Sequence, residues 1–211
     1  MKKKFSNNNN ICIIPLRSKS KGIKNKNIKK INNKPLIYWT LKFASQIKEL
    51  KKIVLTSDST KILNSCKEFK NIDIIKRPKN LSNSKSSMLD VINHVLQKQS
   101  ENYDAVVLLQ PTSPLRRRNT ILKAIKIFKS NNYDSLVTVC KINNKNLPQN
   151  ILYSNKSRVV KNLKFDDKSQ SNNYYKLDGG VIFITKYKQL KTSVIGGVTK
   201  LLEVDFPEAI D

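Results

Sequence analysis

Apolar and polar residues fall in alternating blocks along this chain. Ile11–Leu16 is a short, continuous apolar run rich in β-branched residues, the pattern of a strand covered on both faces. Comparable runs recur at Ile53–Thr56, at Ile72–Ile75 (stopped by Pro78), at Ala105–Leu109 and at Leu136–Ile142. Helical patterns lie between them. Pro35 suits a first helical turn and opens a helix to about Ile47. Ser59 or Thr60 caps a second helix to Phe69, Ser86 a third to about Lys98, and Asn119 a fourth to Lys129. This βαβα rhythm predicts an α/β fold, a parallel sheet with helices on both faces. Right-handed crossovers then bring the loops that follow the strands to one sheet edge, where ligands bind.

After Ile142 the rhythm fails. Residues 143–176 are polar, with short apolar pieces, and read as a small lobe or β-arm. Strand character returns at Val181–Thr185 and Leu201–Asp205. The opening MKKKFSNNNN reads as a frayed, basic, Asn-rich tail over residues 1–10, ahead of one domain over 11–211. No apolar run approaches the ~20 residues of a membrane span. Cys12, Cys66 and Cys140 are odd in number and form no CxxC; they read as reduced thiols of a cytoplasmic protein.

Charge adds a second layer. Lys+Arg is 41 against Asp+Glu 15, a formal net charge of +26, which implies anionic partners. The excess is mostly Lys, spread along the chain among many Asn and Ile, so an A- and T-rich coding sequence is a second origin for it. Nucleic acid is the partner of a rival reading. Against it, the basic residues show neither aromatic interleaving nor a known binding motif.

Three segments carry candidate chemistry. The first is the loop after the first strand, with Arg17, Lys19, Lys21, Lys24 and Lys26 in ten residues. Ser18, Ser20 and Gly22 let its backbone turn tightly; Arg17 can grip a phosphate with two bonds and Lys21 supplies a point charge. It is neither GxxxxGK[ST] nor GxGxxG, so a triphosphate loop and a solvated basic turn both remain open. The second, LQPTSPLRRRNT from Leu109 to Thr120, is stiffened by Pro111 and Pro114. Its neutral Gln110, Thr112 and Ser113 suit a base or sugar, or else an ordinary proline turn and helix cap. In the third, Glu203 and Asp205 share a strand face, either as a pair that holds Mg²⁺ or as solvated edge charges. Asp58 reads as a turn or cap residue, with a site role as the lesser alternative, and His94 as a flank of a packed helix face rather than a catalytic base.

IPLRSKSKGIKNKN, KPLIYWTL, LQPTSPLR and VDFPEAID occur in that order over nearly the whole chain, and together resemble the acylneuraminate cytidylyltransferases, or CMP-sialic acid synthetases. The resemblance implies a Rossmann-like three-layer sandwich of the nucleotide-diphospho-sugar transferase type, with residues 143–176 as a dimerisation lobe that makes a homodimer. It implies CTP plus a nonulosonic acid giving CMP-sugar and pyrophosphate, with Mg²⁺ as cofactor, and another keto-sugar acid as the alternative substrate. Arg17, Ser20, Lys21, Lys26 and Asn27 fall on the family's triphosphate loop, with Arg17 and Lys21 catalytic. Arg77, Ser82 and Asn83 fall on its nucleotide pocket, Gln110, Thr112, Ser113 and Arg116 near the sugar acid, and Glu203 and Asp205 on the metal pair. Asn83 and Glu203 stand where the family often has Asp, and Asp178-Gly179 where it has Asn-Gly. No side chain stands out as a general base.

Overall fold

The computed structural model describes residues 9–18, 23, 25–83, 85–141, 153–155, 158–160, 175–177, 180–205, 207, 208 and 210. The first half runs β1 (Asn10–Leu16), β2 (Lys30–Ile31), β3 (Lys34–Pro35), α1 (Leu36–Ser45), β4 (Lys52–Ser57), α2 (Thr60–Ser65), β5 (Asp73–Lys76), α3 (Met88–Gln97) and β6 (Ala105–Leu108). Then come α4 (Arg118–Ser130), β7 (Ser135–Lys141), β8 (Tyr153–Asn155), β9 (Arg158–Val160), β10 (Tyr175–Lys176), β11 (Phe183–Lys186) and β12 (Thr199–Glu203).

Among the described residues, eight strands form the main sheet. Strands β5, β4, β1 and β6 are consecutive neighbours and all parallel. Strand β11 runs antiparallel between β6 and β7. Strand β12 pairs parallel with β7, and β10 pairs antiparallel with its end. The sheet is mostly parallel, as the sequence pattern predicts, with β10 and β11 as the reversed members.

Side-chain alternation divides the core into two layers. Cys12, Ile14 and Leu16 of β1 pack with Ile37 and Leu41 of α1, Ile62 of α2 and Ile121 and Phe128 of α4. Ile11 and Ile13 face the other way, against Ile92 and Val95 of α3. Each such fully buried side chain contributes about 1.5–3 kcal/mol of transfer free energy. Burial on both faces is why β1 reads as an unbroken apolar run rather than an alternating one.

Several boundaries differ from the sequence reading. Strand β1 opens at Asn10, inside the stretch read as tail, because the buried Asn10 side chain donates to the Glu49 carbonyl at 2.8 Å. Helix α2 stops at Ser65, and tight turns lead on to Phe69. Ser87, rather than Ser86, caps α3 by accepting from the Asp90 amide at 3.1 Å. Asn32 and Asn33, both at positive φ (49° and 62°), close the β2–β3 hairpin, since a two-residue turn of this hand needs left-handed residues at both centres. Of residues 143–176, the described parts are the β8–β9 hairpin and β10; the rest, like residues 1–8 and Asp178-Gly179, lies outside the described residues. Among the described residues no helix is long and apolar enough to cross a membrane. All three cysteines are free, and burial pushes the Cys12 thiol up to about 12 in spite of the Arg116 charge.

The chain order β1, β4, β5 runs outward in one direction, and β6 then returns to the opposite side of β1. The loops after β1 and β6 therefore diverge at the switch point of the sheet, where open α/β sheets leave a crevice.

Candidate functional site

A cleft of about 490 Å³ occupies this crevice. Pro15, Arg17, Lys26 and Asn27 line it from the first loop, Arg77 and Ser82 from the segment after β5, and Gln110 and Thr112 from the loop after β6. Its described cations meet apolar Leu81, Met88 and Val91, and no Asp or Glu is among its described lining residues. That mixture suits a ligand with an anionic part and a flatter, less polar part.

Each wall is anchored. The buried Arg77 guanidinium donates to the Leu16 carbonyl at the end of β1 (3.1 Å) and to the Ser82 hydroxyl (2.7 Å). Burial pushes the Arg77 guanidinium below its ordinary value, against the pull of the Asp58 charge. Asn27 is buried and its Nδ2 donates to the Arg17 carbonyl at 3.2 Å, which closes the first loop on itself. Its Oδ1, also buried, has no hydrogen-bond partner among the described residues. Asn83 accepts from the Lys85 and Ser86 amides (2.8 and 3.0 Å) and donates to the Asn80 carbonyl (2.7 Å). An aspartate here would accept the same two amides but could not donate, and would put a negative charge on the cleft wall. Ser20 and Lys21 lie outside the described residues.

Two of the four residues expected near a sugar do not face the cleft. Ser113 is fully buried and is not part of the lining. Arg116, 5% exposed, points inward. It donates to the Gln110 carbonyl (2.6 Å), the Thr40 hydroxyl (3.0 Å) and the Val181 carbonyl (3.1 Å), and lies over the Phe43 ring. Burial brings it down to about 10, with Cys12 and Glu208 pulling the other way. Arg116 thus fastens the loop that carries Gln110 and Thr112 instead of meeting a ligand. Gly180 completes this corner: a Cβ there would lie 3.2 Å from the Gln110 amide nitrogen and clash with the Phe183 ring.

Glu203 and Asp205 line a separate, smaller hollow of about 170 Å³ with Arg117, Thr120, Lys123 and Glu208. Glu203 accepts from the Tyr175 hydroxyl (2.7 Å), and the exposed Asp205 faces Arg117 at 3.3 Å. Two carboxylates in one hollow are hard oxygen donors of the kind a divalent cation takes. Among the described residues no group of three or more His, Cys, Asp or Glu is placed to hold a metal, so a cation on this pair would complete its shell from water or substrate.

Sequence reasoning missed one acid, Glu208, and gave a second, Asp58, a site role only as the lesser alternative. Glu208, 2% exposed, accepts from the Arg117 amide and the Thr120 hydroxyl, both at 2.8 Å. It caps α4 from 91 residues away, the role expected of Asn119; no local signal marks it. Asp58 is not the cap of α2, because Ser59 accepts the Ile62 amide. Its carboxylate instead accepts both the amide (2.8 Å) and the hydroxyl (2.5 Å) of Ser18.

The cytidylyltransferase family model matches residues 11–178. The N-acylneuraminate cytidylyltransferase of Escherichia coli O18:K1:H7 (strain RS218 / NMEC) is 36% identical over 134 residues, 63% of this chain and 32% of its own length. The CMP-N,N'-diacetyllegionaminic acid synthase of Legionella pneumophila is 28% identical over 214 residues, 93% of this chain and 91% of its own. The match thus spans about a third of the Escherichia coli protein and most of the Legionella one. Among solved structures, a CMP:2-keto-3-deoxy-manno-octonic acid synthetase complexed with CTP superposes with a TM-score of 0.67. That likeness is at 14% identity over 93% of this chain and 90% of the other, and is one of fold.

Proposed function

The chain belongs to the cytidylyltransferase family, and we propose on that footing that it couples CTP to a nonulosonic acid, giving a CMP-sugar and pyrophosphate. The observation that carries this reading is the switch-point cleft. It brings the basic first loop, the buried Arg77 and the Gln110–Thr112 loop around one volume, in a chain whose relatives include synthases of CMP-linked nonulosonic acids.

In this mechanism the anomeric hydroxyl of the sugar acid attacks the α-phosphorus of CTP in line. The bond from that phosphorus to the bridging oxygen of the β-phosphate breaks, pyrophosphate leaves, and the hydroxyl proton passes to solvent. Such chemistry depends mainly on positioning and on neutralising charge. Arg17 and Lys21 neutralise the departing pyrophosphate, with Ser20, Lys26 and Asn27 completing the loop around the triphosphate. Arg77 and Ser82 hold the nucleotide wall, and Gln110 and Thr112 orient the sugar acid. Glu203 and Asp205 would hold Mg²⁺, which when bound polarises phosphate oxygens. Residues 143–176 serve as a dimerisation lobe reaching a second copy, and the protein works in the cytoplasm with its thiols reduced.

The test is to incubate the protein with CTP, Mg²⁺ and a panel of sialic, legionaminic and pseudaminic acids and to follow pyrophosphate release. Release with one or more of these acids supports the reading and names the substrate. Absence of release with every acid, while other nucleotides are turned over, refutes it.

A further inference from the structure

An acid beside a phosphate-binding loop works against its ligand, so its presence there needs a reason. Asp58 follows β4 on the turn Ser57–Ser59 and is only half-buried. Its neighbour Ser59 already caps α2, which leaves the Asp58 carboxylate free of that local duty. It reaches 40 residues back along the chain, and both of its oxygens are taken by Ser18: Oδ1 by the amide at 2.8 Å, Oδ2 by the hydroxyl at 2.5 Å. Ser18 is the residue directly after Arg17, at the point where the chain leaves the sheet and enters the basic loop.

We infer that Asp58 is a positioning residue for the nucleotide: it fixes the direction in which the first loop leaves β1, and so aims Arg17 into the cleft. Two other contacts frame the same exit. Arg77 holds the Leu16 carbonyl one residue before Arg17, and Asn27 holds the Arg17 carbonyl itself. With Asp58 on Ser18, the backbone is tied on both sides of Arg17 and at it, and its side chain is the part left to line the cleft. Asp58 also sets the local charge. Burial pushes its carboxyl up, but the two Ser18 bonds and the Arg77 charge hold it below its ordinary value. It is therefore an anion at neutral pH, and its negative charge is spent on Ser18 rather than presented to a ligand.

The inference rests on the proposed nucleotide site, and charge and positioning predict opposite signs for one substitution. In Asp58→Asn a negative charge near the triphosphate disappears, which by Coulomb's law alone tightens CTP. Positioning predicts the reverse: the amide accepts at one atom only, the Ser18 hydroxyl loses its charged acceptor and must turn to accept from the amide NH2, and the tie that aims Arg17 is weakened. Small misplacements of a gripping group cost up to about 10²-fold, so CTP Kd should rise about 10-fold. The experiment is calorimetric titration with CTP of wild type, Asp58→Asn, Ser18→Ala and the double variant, beside melting curves without nucleotide. Weaker binding in both single variants, and a double variant little worse than either, supports positioning through this bond. Equal or tighter CTP binding by Asp58→Asn overturns it. Should Asp58→Asn fail to fold, Ser18→Ala carries the test, and an unchanged CTP Kd there overturns it as well. A wild-type protein that binds no CTP removes the proposed function and this inference together, an outcome distinct from wild-type binding with indifferent variants.

Discussion

Replacing Arg116 by methionine separates an inward-facing fastener from a substrate-binding arginine. The guanidinium donates three hydrogen bonds, to the carbonyls of Gln110 and Val181 and to the Thr40 hydroxyl. Methionine preserves an unbranched apolar stem over Phe43 but donates nothing. Thr40 retains its bond to the Pro111 carbonyl, so the buried Val181 carbonyl and the part-buried Gln110 carbonyl lose the Arg116 donor. Each such orphan costs about 1–3 kcal/mol, or about 2–6 kcal/mol for the pair. Removing a desolvated cation, which burial has brought down to about 10, offsets part of this. A net loss of about 3 kcal/mol is expected, and at about 2–4 °C per kcal/mol for a domain of this size Tm should fall by about 6–12 °C. Circular dichroism melts of wild type and Arg116→Met measure it. Turnover, which depends on the Gln110 loop, should fall along with stability. A variant that melts within about 2 °C of wild type yet loses activity would refute the argument and return Arg116 to the substrate.

Four further outcomes are expected. Lys21→Ala should slow pyrophosphate release by about 10²–10³-fold, the scale of one lost preorganised charge contact, with an unchanged melting curve. Asp205→Asn should shift the Mg²⁺ titration of turnover to higher concentration while leaving the metal-free Tm nearly unchanged; identical titrations would make Asp205, 76% exposed at its side chain, a plain edge charge. Glu208→Ala leaves the Arg117 amide and Thr120 hydroxyl without their acceptor and should cost about 1–3 kcal/mol by chemical denaturation. Because the Asp58 carboxyl is held below its ordinary value, its contribution to stability is full above the unfolded value of about 3.9 and is lost as pH falls through the folded value. The stability gap between wild type and Asp58→Asn should therefore be constant above about pH 5 and shrink below pH 4.

The parallel core was legible because burial on both faces writes itself as runs such as Ile11–Leu16 and Ala105–Leu109. Strand direction writes nothing. Val181–Thr185 showed as a strand, but its reversed insertion between β6 and β7 is settled by packing and not by composition. Caps were legible only where the partner is local: Ser59 was, while the acceptor at the start of α4 is Glu208, far along the chain. The arginine triplet makes the same point. Arg116 is buried in three bonds, Arg117 faces Asp205, and Arg118 reaches the Gln46 carbonyl. Neighbours of identical chemistry part ways because the backbone turns there into a helix. For the site, the motifs pointed to loops that line the cleft, since strand ends at a switch point gather them. Which side chains of a loop point inward was beyond the pattern: Ser113 and Arg116, expected near the sugar acid, are buried, and Asp58, read first as a turn or cap, meets Ser18.

Strand β11 sits in the interior of the sheet, hydrogen-bonded to β6 on one side and β7 on the other, yet it is made 42 residues after β7 ends. A chain emerging from the ribosome can pair β1, β4, β5 and β6 early, but β6 and β7 cannot become joined until Phe183–Lys186 arrives between them. Until then both carry open apolar edges, Val106–Leu108 and Leu136–Val139, of the kind that recruit foreign strands. Synthesis itself thus passes through a long interval in which the nascent protein is half a sheet with a gap in its middle. A stop codon between the end of β7 and Phe183 would leave the cell with that sticky intermediate in place of a smaller working enzyme.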